Sequence, residues 1–190
     1  MKNKRMNLFG AVCAILLAFG CTAKASTLDF GDQYDLGYVH YGIPSGDQDR
    51  TDYVNHLISM SLNSNDAFQG QTFFRLGTSC GVCTPVAKAD ITNGPMGDAT
   101  VDLGAGGYLY LFAKYDGPNA GSEVWNIQGL SGIITIPQNG TPDKDNKYGL
   151  SGWSIWSGGG TNTPDGGTTA ALLGLALTGL AGLRAKFGRH

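Results

Sequence analysis

The chain is poor in the residues that carry most enzyme chemistry. Glu123 is its only glutamate, and of three histidines only His40 and His56 lie in the body of the chain, His190 being the final residue. Paired carboxylates for glycoside hydrolysis are open in principle, but Glu123 would need an aspartate as its partner, and spacing in sequence gives no separation in space. His40, between Val39 and Tyr41, reads as a strand residue, and His56 as part of a helix face; neither sits in a Ser-His-Asp motif. Gly104-Ala105-Gly106-Gly107 precedes a strand and lacks the lysine of a phosphate-binding loop. The expectation is a protein that is not an enzyme and carries no cofactor, a secreted hydrolase being the weakest reading.

Basic charge is scarce as well. Between Ser26 and Asn162 the cations are Arg50, Arg75, Lys88, Lys114, Lys144 and Lys147, against fourteen carboxylates, although the whole chain has a formal net charge of −2. An acidic body argues against nucleic acid or anionic lipid as a partner. It leaves sugars, cations and basic proteins open.

Of four cysteines, Cys13 and Cys21 fall in the leading apolar segment, which leaves Cys80-Gly81-Val82-Cys83. A local disulfide between Cys80 and Cys83 is the expected state, with two free thiols or a metal or redox role as alternatives. A thioredoxin-like site would place a helix after the pair, and Thr84-Pro85 discourages one. Zinc would need two more ligands, with only His40 and His56 to supply them, so no metal is assigned. Asp47, Asp49 and Asp52 offer oxygens that suit calcium but lack the glycine and closing glutamate of an EF-hand; turn carboxylates and a helix cap are the simpler reading. Asp29, Asp32 and Asp35 form a second acidic group, and Asp143 and Asp145 a third.

What the chain has in quantity is glycine, thirty residues of it, between short aromatic or β-branched runs. Residues 36–41, 71–76, 108–115, 123–127, 132–136 and 150–156 read as strands separated by turn residues such as Asp116-Gly117-Pro118-Asn119. This pattern predicts a mostly β protein, an antiparallel, jelly-roll-like sandwich. Alternation in 108–115 assigns Leu109, Leu111 and Ala113 to the core and turns Tyr108, Tyr110 and Phe112 toward a loop cover or a ligand. One short helix is expected over 52–62, after the first hairpin, capped from Asp49 to Thr51. Trp153 and Trp156 are an odd number apart, so they point to opposite faces and at least one belongs to the core. With Trp125 and the tyrosines they are also the candidates for a sugar-binding surface.

The termini carry addresses. Lys2, Lys4 and Arg5 precede the apolar run 8–19, and Ala23-Lys24-Ala25 marks a cleavage site before Ser26, which together make residues 1–25 a secretory signal peptide. An uncleaved anchor, or a lipoprotein modified at Cys21, are the alternatives. The folded part then spans 26–157, followed by a glycine-rich linker over 158–162 and a C-terminal signal over 163–190. Within that signal, Thr163-Pro164-Asp165-Gly166-Gly167-Thr168-Thr169 leads into an uncharged segment that ends before Arg184, Lys186 and Arg189. As a helix, the roughly sixteen residues up to Leu183 span about 24 Å, slightly short of a ~30 Å hydrocarbon core unless Ala185 and Phe187 extend it. A buried Ala/Leu helix is the alternative to a transmembrane one. The basic tail favours a cytoplasmic C-terminus and leaves the body outside.

On these residues the C-terminus is similar to the VPDSG variant of the PEP-CTERM sorting signals read by exosortases in bacteria with an outer membrane. Pro164, Asp165 and Gly167 match; Thr163 stands where Val is usual and Gly166 where Ser is usual. The resemblance implies an exosortase as processing partner, a precursor held transiently in the inner membrane, and a mature form at the cell surface or in the extracellular polymer matrix. The implied role is structural or adhesive, with exopolysaccharide as a possible partner. A lectin-like carbohydrate-binding module is the alternative. The run from Tyr108 to Gly121, Val124-Trp125 and Leu150 to Trp153 also look like the closing strands of many proteins that bear this signal, a group without a common biochemical activity.

Overall fold

The computed structural model describes residues 26–41, 46–116, 121–140 and 148–158. The expected signal peptide with Ala23 and Ala25, the linker beyond Gly158, the sorting signal with its apolar segment and basic tail, and Asp143 and Asp145 lie outside these residues. Among the described residues no helix is long and apolar enough to cross a membrane.

The described part is mostly β, with a single α-helix. In chain order the elements are β1 (Ser26–Thr27), β2 (Asp35–His40), α1 (Asp47–Ser59), β3 (Ser64–Phe68), β4 (Gln71–Arg75), β5 (Ile91–Asn93), β6 (Thr100–Asp102), β7 (Tyr108–Tyr115), β8 (Gly121–Asn126), β9 (Ile133–Thr135) and β10 (Leu150–Ser157). A seven-stranded sheet runs β3-β4-β2-β8-β7-β10-β5, antiparallel at every pairing. A three-stranded sheet runs β1-β9-β6, in which β6 pairs antiparallel and β1 parallel with β9. The division is seven and three, with a helix outside, where a jelly roll would have eight strands in two Greek keys.

The central strands of the large sheet are covered on both faces. Leu111, Ala113, Trp125 and Trp153 on one face pack with Val101 of β6 and Ile134 of β9, which closes a sandwich between the sheets. Val39, Phe73, Phe112 and Trp156 on the other face pack with Tyr53, Val54 and Leu57 of α1 and with Cys80 and Val86. A strand buried on both sides reads as a continuous apolar run, which is why β7 is YLYLFAKY.

The alternation expected along β7 holds from Tyr110 onward and fails before it. Trp156 of β10 faces Tyr110 but Ser157 faces Tyr108, so Leu109 is the extra residue of a bulge. Leu109 therefore packs toward the helix side and Tyr108 toward the small sheet, the reverse of the sequence expectation. Tyr110 and Phe112 are covered by α1 and the Cys80–Val86 segment, with no surface left for a ligand. A second bulge makes Leu36 the extra residue of β2. The glycine after it is obligatory: at φ 138°, a Cβ on Gly37 would sit 2.1 Å from the Phe74 carbonyl oxygen.

The helix begins five residues earlier than expected and precedes the hairpin β3–β4. Gly46 is its N-cap, and Asp47 and Asp49 occupy the first turn, where carboxylates complement the helix dipole. Thr51, expected as a cap, lies inside it and donates its hydroxyl to the Asp47 carbonyl. At the far end, Met60 turns into extended backbone, and β10, between β7 and β5, closes the domain with the Gly158 N–H donating to the Gly107 carbonyl at 3.0 Å.

Candidate functional site

A recess of about 290 Å³ opens where the first turn of α1 meets the end of β5. Gly94 follows β5 with its N–H on the Trp153 carbonyl, and a Cβ there would lie 1.9 Å from the Trp153 ring, so only glycine lets the chain leave the sheet at this point. Its departure uncovers Lys114, Ser151 and Gly152. A polar chain crosses one wall: Arg50 Nη1 donates to Asn93 Oδ1 (2.8 Å) and Ser154 Oγ (2.7 Å), Ser154 Oγ donates to Asn93 Oδ1 (2.6 Å), and Asn93 Nδ2 donates to Asp47 Oδ1 (2.9 Å). The Arg50 guanidinium also lies 5.9 Å from the Phe112 ring centroid. On the opposite wall Lys114 pairs with Asp116 at 3.0 Å. Two cations and two carboxylates balance in the lining, and no histidine stands beside Ser151 as a base. The recess is built to contact polar groups, with Ser151, Asn93 and these four charged side chains in its lining.

Asp35 and Glu123 are fully buried on the face toward the small sheet. Asp35 accepts backbone N–H bonds from Gly31 (2.6 Å) and Gly37 (2.9 Å). Glu123 meets no N–H or O–H donor; its hydrogen-bonding neighbour is the Asp35 carboxyl. Two carboxylates can touch only with a proton between them. Burial first, and then the Asp35 charge, push the Glu123 carboxyl well above the usual glutamate range. Asp35 is also raised by burial, against the Glu123 hydrogen bond and the two N–H groups. Burial also raises Tyr115, whose hydroxyl donates to the Pro137 carbonyl at 2.9 Å and stays neutral.

Cys80 and Cys83 are joined as a disulfide, Cα to Cα 5.3 Å. Arg75, the last residue of β4, lies beneath them, 2% exposed. Its Nη1 donates to the carbonyls of Leu36 and Leu76, and its Nη2 reaches Cys80 Sγ at 3.8 Å. Burial lowers its pKa, while Tyr110 and Asp35 pull the other way.

The remaining candidates from sequence are dispersed. Asp47 holds Asn93, and Asp52 accepts from Gln48; among the described residues no three His, Cys, Asp or Glu side chains converge on a metal position. His40 is buried on β2 against Tyr38 and Phe74. His56 stacks on Phe68 and bonds Asp66 at 2.8 Å. All three tryptophans are buried: Trp125 donates to the Asp29 carbonyl, Trp153 to the Asp98 carbonyl and Trp156 to Thr51 Oγ1. Sequence reasoning missed Arg75 and the Asp35–Glu123 contact. The lone glutamate of an aspartate-rich chain, set in an apolar strand, was the available signal for the second.

Residues 164–187 match the family model for the VPDSG-CTERM motif, a variant of the PEP-CTERM-like exosortase sorting signals. No curated protein and no solved structure matches the chain.

Proposed function

We propose that this chain is an exported protein whose C-terminus an exosortase processes, and whose folded domain serves as a structural or adhesive component of the cell surface or extracellular polymer matrix. The VPDSG-CTERM match carries the reading, since that signal implies export and a membrane-associated precursor. Pro164 restricts the backbone, and Gly166-Gly167 leave it open to a processing enzyme. The acidic, tryptophan-buried domain suits a matrix component better than a binder of nucleic acid. The intact mass of the mature protein from its host tests the proposal. A C-terminus near Pro164 or Asp165 is expected, with Pro164→Ala or Asp165→Ala leaving an unprocessed precursor; retention through His190 with unchanged surface delivery would reject it.

A lectin-like role finds support in the polar recess, whose balanced charges suit hydroxyl groups better than phosphate. It loses the three tryptophans, because Trp125, Trp153 and Trp156 are buried. Failure to bind any polysaccharide of the host matrix would remove this reading.

A further inference from the structure

The Arg75 guanidinium is a buried cation set at the helix-side core without an acidic partner beside it among the described residues. It is 2% exposed, its Nε meets no acceptor, and no carboxylate among the described residues lies within ion-pair distance. A buried cation ordinarily has an acidic partner, since leaving it unpaired is costly. Here its Nη2 faces Cys80 Sγ at 3.8 Å. A disulfide sulfur is a weak, neutral acceptor, whereas a thiolate is a full counter-charge.

We propose that Cys80–Cys83 is a thiol–disulfide exchange site that accepts electrons from an exported dithiol, with Arg75 as the cation that receives the leaving thiolate. The exposure of the two sulfurs' residues sets the direction. Cys80 is buried and Cys83 is partly exposed, between exposed Val82 and exposed Thr84 and Pro85. A thiolate of the partner attacks Cys83 Sγ, the Cys80–Cys83 bond breaks, and its electron pair leaves on Cys80 Sγ beside Arg75. The partner's second thiolate then attacks the partner sulfur of the mixed disulfide and releases Cys83, which takes a proton from solvent. The partner dithiol is oxidised by two electrons and the protein's disulfide is reduced to Cys80 thiolate and Cys83 thiol. In thioredoxin-like sites a helix N-terminus favours the thiolate. Here no helix begins at the pair, the next helical turn being Lys88–Asp90, so the arginine supplies the positive charge.

The test uses the mature protein, equilibrated with dithiothreitol or glutathione at fixed ratios, alkylated and weighed. The Arg75→Met variant is expected to be reduced at least about tenfold less readily than wild type, equivalent to about 30 mV for a two-electron couple. Arg75→Lys is expected to recover part of the difference. In Cys83→Ser, which keeps Arg75, thiolate absorbance is expected to place the Cys80 titration below the ordinary thiol value of about 8.5; this measurement decides the matter even if Arg75→Met does not fold. Titration of Cys80 at or above that value, or one shared reduction equilibrium for wild type and Arg75→Met, would overturn the proposal.

Discussion

On the face covered by the three-stranded sheet, Asp35 and Glu123 lie side by side and shed charge by keeping a proton. On the face covered by α1, Arg75 has no such exit, because a guanidinium stays protonated in proteins. It collects carbonyl oxygens and a sulfur instead. The two solutions sit on neighbouring strands of one sheet, β2 and β8 for the acids and β4 for the base, and the Asp35 charge reaches Arg75 from the opposite face. The comparison teaches that burial by itself does not fix a group's state: an acid answers burial by titrating, an arginine by finding dipoles.

The comparison breaks most severely if either core is hollowed. Trp125→Ala empties the space between the sheets and Trp156→Ala the space under α1, and each is expected to cost about 3–5 kcal/mol in chemical denaturation. A cost below about 1 kcal/mol for one of them would show that its face is not a true core.

A subtler change separates the acids from the base. Glu123 has a folded pKa raised above its unfolded value, so its contribution is complete below the ordinary glutamate range and is lost as pH rises through the raised value. Wild-type stability is therefore expected to fall as pH rises from about 4.3. Glu123→Gln keeps a donor toward Asp35 at every pH and is expected to flatten that slope. Equal pH profiles for the two proteins in thermal melts would contradict the shared proton.

The smallest expected effect sharpens the helix side. Trp156 Nε1 donates to Thr51 Oγ1 at 3.3 Å inside the core, and Thr51→Val removes that acceptor at a cost of about 1 kcal/mol. A loss several times larger would mean that Thr51 also holds the first turn of α1 through its bond to Asp47.

Much of this architecture is legible in the residues. β7 is found at its expected bounds because YLYLFAKY offers no polar alternative, and the opposite facing of Trp153 and Trp156 follows from their spacing. β3, SNDAF, escapes detection because it is a polar edge strand whose only sheet neighbour is β4. β5 and β6 are three residues each, too short to show a period. The bulge at Leu109 is invisible because it depends on the register with β10, which is set far along the chain. The helix start is misplaced because Asp49 to Thr51 resemble a cap while Gly46 gives no side-chain signal. For the candidate sites the same division holds. The Cys80–Cys83 pair is local and readable; Arg75 beneath it and Asp35 beside Glu123 are brought together only by strand pairing.

Gly158 is the last described residue and leaves directly from β10, which is held on one side by β7 and on the other by β5. Antiparallel hydrogen bonds lie across the strand direction. A tension applied along β10 from its C-terminal end therefore shears many bonds at once, with Trp153 and Trp156 keyed into opposite layers as additional stops. Load entering the domain at Gly158 would meet this shear geometry first.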